Sequence, residues 1–142
     1  MPIRIVQLGS PRAADEGLRI GTVRRPPRGV PKAEFGSRNF YDVWYPELSP
    51  EPDLMHAAQE AIKNVHSHDP ALAVQGAQQW KAFDKAFRKQ LADAPAARTL
   101  DLLAALSHQT PFAIGCYCED EAHCHRSILR SLLQDRGAAI AS

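Results

Sequence analysis

The chain has 142 residues, 44% of them hydrophobic, and a formal net charge of +1. That bounds it to one domain, residues 1–142, able to bury a core without staples, and excludes an anionic partner captured by the field of the whole molecule; any such ligand must be held by a local cluster. No apolar run approaches the roughly 18 residues of a membrane span, and three cysteines with no charged-then-apolar leader point to a reducing, cytoplasmic setting.

The segment 3–8 alternates and then turns apolar before Gly9-Ser10-Pro11, the pattern of a strand ending in a loop. A second strand is expected over 18–23, joined to the first by a connection close to a hairpin in length or by a longer excursion. Directly after it comes the densest basic loop of the chain, Arg24-Arg25-Pro26-Pro27-Arg28-Gly29-Val30-Pro31-Lys32. Its prolines restrict the backbone, so Arg24 and Arg28 can be held for bidentate contact with phosphate or carboxylate; the plainer reading is a solvated turn. The stretch 39–46 reads as a third short strand stopped by Pro46. Its Tyr41, Trp44 and Tyr45 are either a stacking surface for a base or sugar or, more simply, core aromatics.

The middle of the chain is helical. Asp53 can cap a segment in which Leu54, Ala57, Ala58, Ala61, Ile62 and Val65 form a stripe. His66, His68 and Asp69 form a string that can hold a metal, although solvated loop histidines are the favoured reading. A helix over 76–91 carries Trp80, Phe83, Phe87 and Leu91 on its core face, and Pro95 opens the next, with Leu100, Leu103 and Leu106 inward.

The chemistry concentrates at 111–136. The run 112–118 is a short buried strand, the acidic loop 119–122 follows, and His123-Cys124-His125-Arg126-Ser127 opens an amphipathic helix that ends before Gly137. A helix feeding a strand that joins the first in parallel gives an α/β class: a single-domain, mostly parallel sheet of about 3–5 strands flanked by helices in Rossmann-like layers. Alternation puts Cys116 and Cys118 on one face of the strand, where they can converge.

Three readings of this cluster follow. In the first, Arg24, Arg28, Lys32, Arg126 and Ser127 surround a phosphate or nucleotide-like anion, Cys124 has a lowered pKa at the helix start, and His125 serves as acid or base with Cys118 nearby, the layout of an enzyme. In the second, Cys116, Cys118, Cys124 and His125 bind zinc. In the third, Cys118 and Cys124 form a reversible disulfide. Cys116 taken alone reads as a small core residue, and a non-enzymatic binding module accounts for the remainder. The phosphatase cysteine loop, the triphosphate P-loop and the dinucleotide glycine fingerprint are all absent, and no helix carries the basic face needed to read duplex DNA.

Cys116-x-Cys118, an acidic loop and Cys124-His125-Arg126 at a helix start resemble the signature of the bacterial domain of unknown function 488 family. So do Arg19-Ile20, Arg24-x-x-Pro27-Arg28-Gly29-Val30-x-Lys32, Trp44, Leu48, Pro50 and Trp80-x-x-Phe83, in order and spacing. The resemblance covers nearly the whole chain and implies a compact α/β sheet. One departure is Val23, where the family commonly has an aspartate before the first arginine of the basic loop.

Overall fold

The computed structural model describes residues 2–141. Four strands, β1 (Ile3–Gln7), β2 (Leu18–Gly21), β3 (Val43–Trp44) and β4 (Phe112–Cys116), form one sheet in the order β1-β4-β2-β3, and every pairing is parallel. Four helices follow the strands in the chain: α1 (Pro52–Val65), α2 (Pro70–Leu91), α3 (Ala94–Leu106) and α4 (His125–Asp135). The α/β class and the parallel sheet are as expected. The hairpin-like connection is not: β1 and β2 run parallel and β4 lies between them, paired to both. A fully apolar strand belongs in the centre of a parallel sheet, and all five residues of β4 are buried.

The register puts Ile3 and Ile5 beside Phe112 and Ile114, with Ile20 on the other side of Ile114. On that face the sheet meets Ala58 of α1, Phe83 and Phe87 of α2, Leu100 and Leu103 of α3, and Ile128, Leu129 and Leu133 of α4 in one continuous core. The stripe of α2 is core, as its spacing predicts. The opposite face is built differently. Gly21 and Gly115 are register partners, and a Cβ on Gly21 would stand 2.4 Å from the Tyr41 ring while one on Gly115 would stand 2.6 Å from Leu8. Two bare backbones thus make a flat floor on which loop residues pack, and Arg19 is buried on the same side in an ion pair with Glu16 at 2.8 Å.

Helix ends differ from expectation in two places. Glu51, not Asp53, is the cap residue of α1, with Pro52 in the first turn, where its missing N–H costs nothing. Helix α2 starts at Pro70, six residues before the predicted onset, because the Asp69 carboxylate accepts the Ala71 N–H at 2.9 Å. Leu72 and Val74 in that first stretch are exposed, so it carries no amphipathic signal. Gly137 follows α4 at φ 76°, the left-handed stop its position implies.

Candidate functional site

Strand β4 ends at Cys116, and the chain needs only a short loop to turn back into α4. Asp120 shapes that loop by accepting the Ala122 N–H at 3.0 Å and capping a 3₁₀ turn at Glu121–His123. Cys124 then occupies the cap position of α4 without capping it through its side chain, and Ser127 Oγ donates to the Cys124 carbonyl at 2.9 Å. Freed from capping, the Cys124 sulfur turns inward toward the end of β4.

There the thiols meet an imidazole. Cys116 Sγ lies 3.9 Å from Cys118 Sγ and 3.7 Å from His125 Nδ1, and Cys124 Sγ lies 3.9 Å from the same nitrogen. Cys116, Cys124 and His125 offer ligand atoms that all fall within 4.8 Å of one another. Nε2 of His125 is 2.6 Å from the Thr22 carbonyl, which can only accept, so the proton sits on Nε2 and the lone pair of Nδ1 faces the sulfurs. The Phe87 ring stands edge-on to the imidazole at 5.8 Å and fixes its plane. A carbonyl holding the far nitrogen is the usual support behind a metal-ligating histidine.

The three thiols do not share their protons evenly. Hydrogen bonds from Cys116 and Cys118 hold Cys124 well below the ordinary thiol range, against the opposing effect of burial. Cys116 is pushed up by its bonds to Cys118 and Cys124 and by burial. For Cys118 the bond from Cys116 favours the thiolate, but its bond to Cys124, burial and the neighbouring charge prevail and raise it to about 11. The depression of Cys124 thus comes from neighbouring sulfurs first, whereas the sequence pointed to the helix start and its cationic neighbours. All three cysteines are free thiols.

The cluster forms the floor of a cleft of about 370 Å³ at the carboxyl end of the sheet. Cys116, Cys118 and His125 line it from below, Arg24 and Arg25 from the β2 side, and Met55 and His56 from the first turns of α1. Cys124 is only 1% exposed and lies behind them. Sequence reasoning missed Thr22, Met55 and His56. His56 is an exposed residue on the polar side of a helix, and only the docking of α1 across the sheet end brings it here.

The basic residues singled out in the sequence do not converge. Arg24 borders the cleft while donating from one terminal nitrogen to the Ser49 and Pro50 carbonyls at 3.0 and 3.1 Å. Arg126 is buried and donates to the Cys118 carbonyl at 2.6 Å, with its Nε unpartnered among the described residues. Arg28 lines a separate hollow with Phe40 and Tyr117, and Lys32 another with Tyr41 and Trp44. Tyr41 is buried, whereas Trp44 is exposed at the sheet edge with its indole N–H on the Val23 carbonyl. No helix among the described residues is long and apolar enough to cross a membrane.

No curated protein and no solved structure gives a significant match to the chain. A family model does, DUF488-N3a, described as the active DUF488-N3 subclade; it spans residues 3–137, and the chain belongs to this family.

Proposed function

We propose that the cluster at the end of β4 binds zinc through Cys116, Cys124 and His125, with Cys118 as the fourth ligand, and that the cleft above it receives an anionic, nucleotide-like substrate. The observation that carries this reading is spacing. A tetrahedral zinc with bonds of about 2.3 Å to sulfur and 2.0–2.1 Å to nitrogen holds two sulfurs about 3.8 Å apart, and a sulfur and a nitrogen about 3.6 Å apart. The corresponding separations here are 3.9, 3.7 and 3.9 Å. Cys116, Cys124 and His125 are thus already gathered for an ion, Cys118 closes on it from beside Cys116, and the thiolate character of Cys124 supplies a charged ligand at neutral pH.

Three of the ligands are deep and the fourth, Cys118, borders the cleft, an arrangement closer to sites that exchange one position than to closed structural ones. Arg25, exposed at the rim, and His56 supply cationic and proton-carrying groups for an incoming anion. A thiol mechanism centred on Cys124 fits less well, because the residue is only 1% exposed.

The test is elemental analysis of untagged protein purified without chelator. About one zinc per chain is expected. Cys124→Ser and His125→Ala should each weaken zinc binding by more than about a hundredfold, since even outer partners of a metal site contribute about 10–100-fold. Cys118→Ser should retain the ion more weakly and lose cleft chemistry. Protein that neither carries zinc nor takes it up from a buffered solution would sink the reading and leave Cys118 as the accessible thiol of the cleft.

A further inference from the structure

A second group of ligating atoms lies outside the cleft. His66, at the end of α1, places Nε2 3.7 Å from Asp120 Oδ2, and His123 places Nδ1 2.8 Å from the same oxygen. The three residues offer ligand atoms within 4.8 Å of one another. The sequence string His66-x-His68-Asp69 is divided by the fold: Asp69 caps α2 and His66 turns instead toward a loop more than fifty positions away in the chain.

Two further features make the group more than a chance surface pairing. Nδ1 of His66 stands 3.0 Å from the Ile62 carbonyl, so it carries the proton and leaves the Nε2 lone pair directed at Asp120. Trp80 of α2 packs edge-on to the His123 ring at 5.6 Å, and the two imidazoles are 5.5 Å apart, so both rings are oriented by neighbours. Ligand atoms around a tetrahedral ion bonded at about 2.0–2.1 Å stand about 3.3 Å apart, midway between the two separations seen.

We infer that His66, Asp120 and His123 form a second metal site, for a divalent first-row ion of the zinc class, which staples the loop between Cys118 and Cys124 to the end of α1. The ion replaces the proton on His123 Nδ1, and water completes the coordination because His66 and Asp120 are exposed. Asp120 keeps its other oxygen on the Ala122 N–H, so the loop retains its shape when the ion binds. The consequence is coupling: two ligands of the thiol site flank the stapled segment, and filling the second site slows loss of metal from the first.

Cobalt(II) titration of untagged, metal-free protein, followed by absorption, separates the two sites. A step with sulfur-to-cobalt charge transfer reports the thiol cluster; a step with only ligand-field bands reports nitrogen and oxygen ligands. Both steps are expected in the native protein. His66→Ala and His123→Ala should each weaken the second step more than about tenfold and leave the first, while Cys124→Ser should remove the first and leave the second. If the sulfur step never appears, the reading of the thiol cluster falls and this one stands. If the second step is missing, or survives unchanged in both histidine variants, the staple is wrong. Hydrogen exchange at Ala122 and Cys124 should slow on filling the second site; unchanged exchange would overturn the loop's attachment.

Discussion

Cys118 is the thiol through which the cluster meets solvent, and its proton is the one chemistry can follow. In metal-free protein its pKa of about 11 keeps it neutral through the physiological range, whereas Cys124 is ionised but covered. Alkylation by iodoacetamide should therefore fall on Cys118, slowly at pH 7 and faster as the pH climbs toward 11, because the thiolate is the nucleophile. Removing the Cys124 charge in Cys124→Ser should move the midpoint of that profile downward, since Cys124 is the main source of the upward pressure. A midpoint near the ordinary value of 9.0 in the native protein would mean that the sulfurs do not interact as described. The residues of this cluster were legible in the sequence because all three cysteines fall within nine positions beside a histidine. What their charged neighbours do was not. Nothing in the order of residues tells whether Arg126 faces a ligand or a carbonyl, and here it holds the Cys118 carbonyl and fixes the thiol's backbone.

Elements were readable where side-chain period and punctuation agree. The first strand lies between Pro2 and Gly9, the central strand is an apolar run opened by Pro111, and the helix after it carries a clean 3–4 period that ends before Gly137, so their existence followed directly. Helix α2 shows where that fails: its leading turns face solvent, and only the Asp69-Pro70 pair announces them. The pairing of α1 with α2 rests on one residue that propensity would disfavour. A Cβ at Gly76 would stand 2.4 Å from the Val65 backbone nitrogen and 2.7 Å from the Asn64 carbonyl carbon, so neither contact can yield by a side-chain rotation. Gly76→Ala should part the helices and destabilise the protein by about 1–3 kcal/mol despite alanine's better helix propensity. Urea unfolding would show a lower midpoint with an unchanged slope. His66 caps α1, so the same substitution should weaken cobalt binding at the second site. A variant as stable as the native chain would mean that the helices pack less closely than described.

For the molecule as a whole, class and parallel pairing were legible but strand order was not. Neighbouring strands in sequence tend to be neighbours in space, and that tendency puts β1 beside β2. The greater apolarity of β4 overrides it. The two faces are also held by different physics: one by a continuous apolar core, the other by loops around the buried Arg19–Glu16 pair, with Arg19 also donating to the Ser10 and Asn39 carbonyls at 2.9 and 2.7 Å. Glu16→Ala leaves a cation buried and unbalanced and should cost about 3–5 kcal/mol, whereas replacing both partners with methionine should cost far less. Calorimetry or urea unfolding of the pair of variants decides it; equal losses would place the stability in the carbonyl contacts instead.

The central place of β4 bears on how the chain comes into being. Ile3 and Leu18 are both register partners of Phe112, so β1 finds its strand neighbour only after more than a hundred residues have been made, and β2 until then has only the two-residue pairing with β3. During synthesis β1, and the side of β2 that faces away from β3, stay unpaired while α1, α2 and α3 emerge. The sheet is complete only once β4 pairs with both β1 and β2, and that strand ends at Cys116 with Cys118 and Cys124 just beyond it. Completing the sheet and bringing the thiols to His125 are therefore linked, and the cluster does not exist before the fold does.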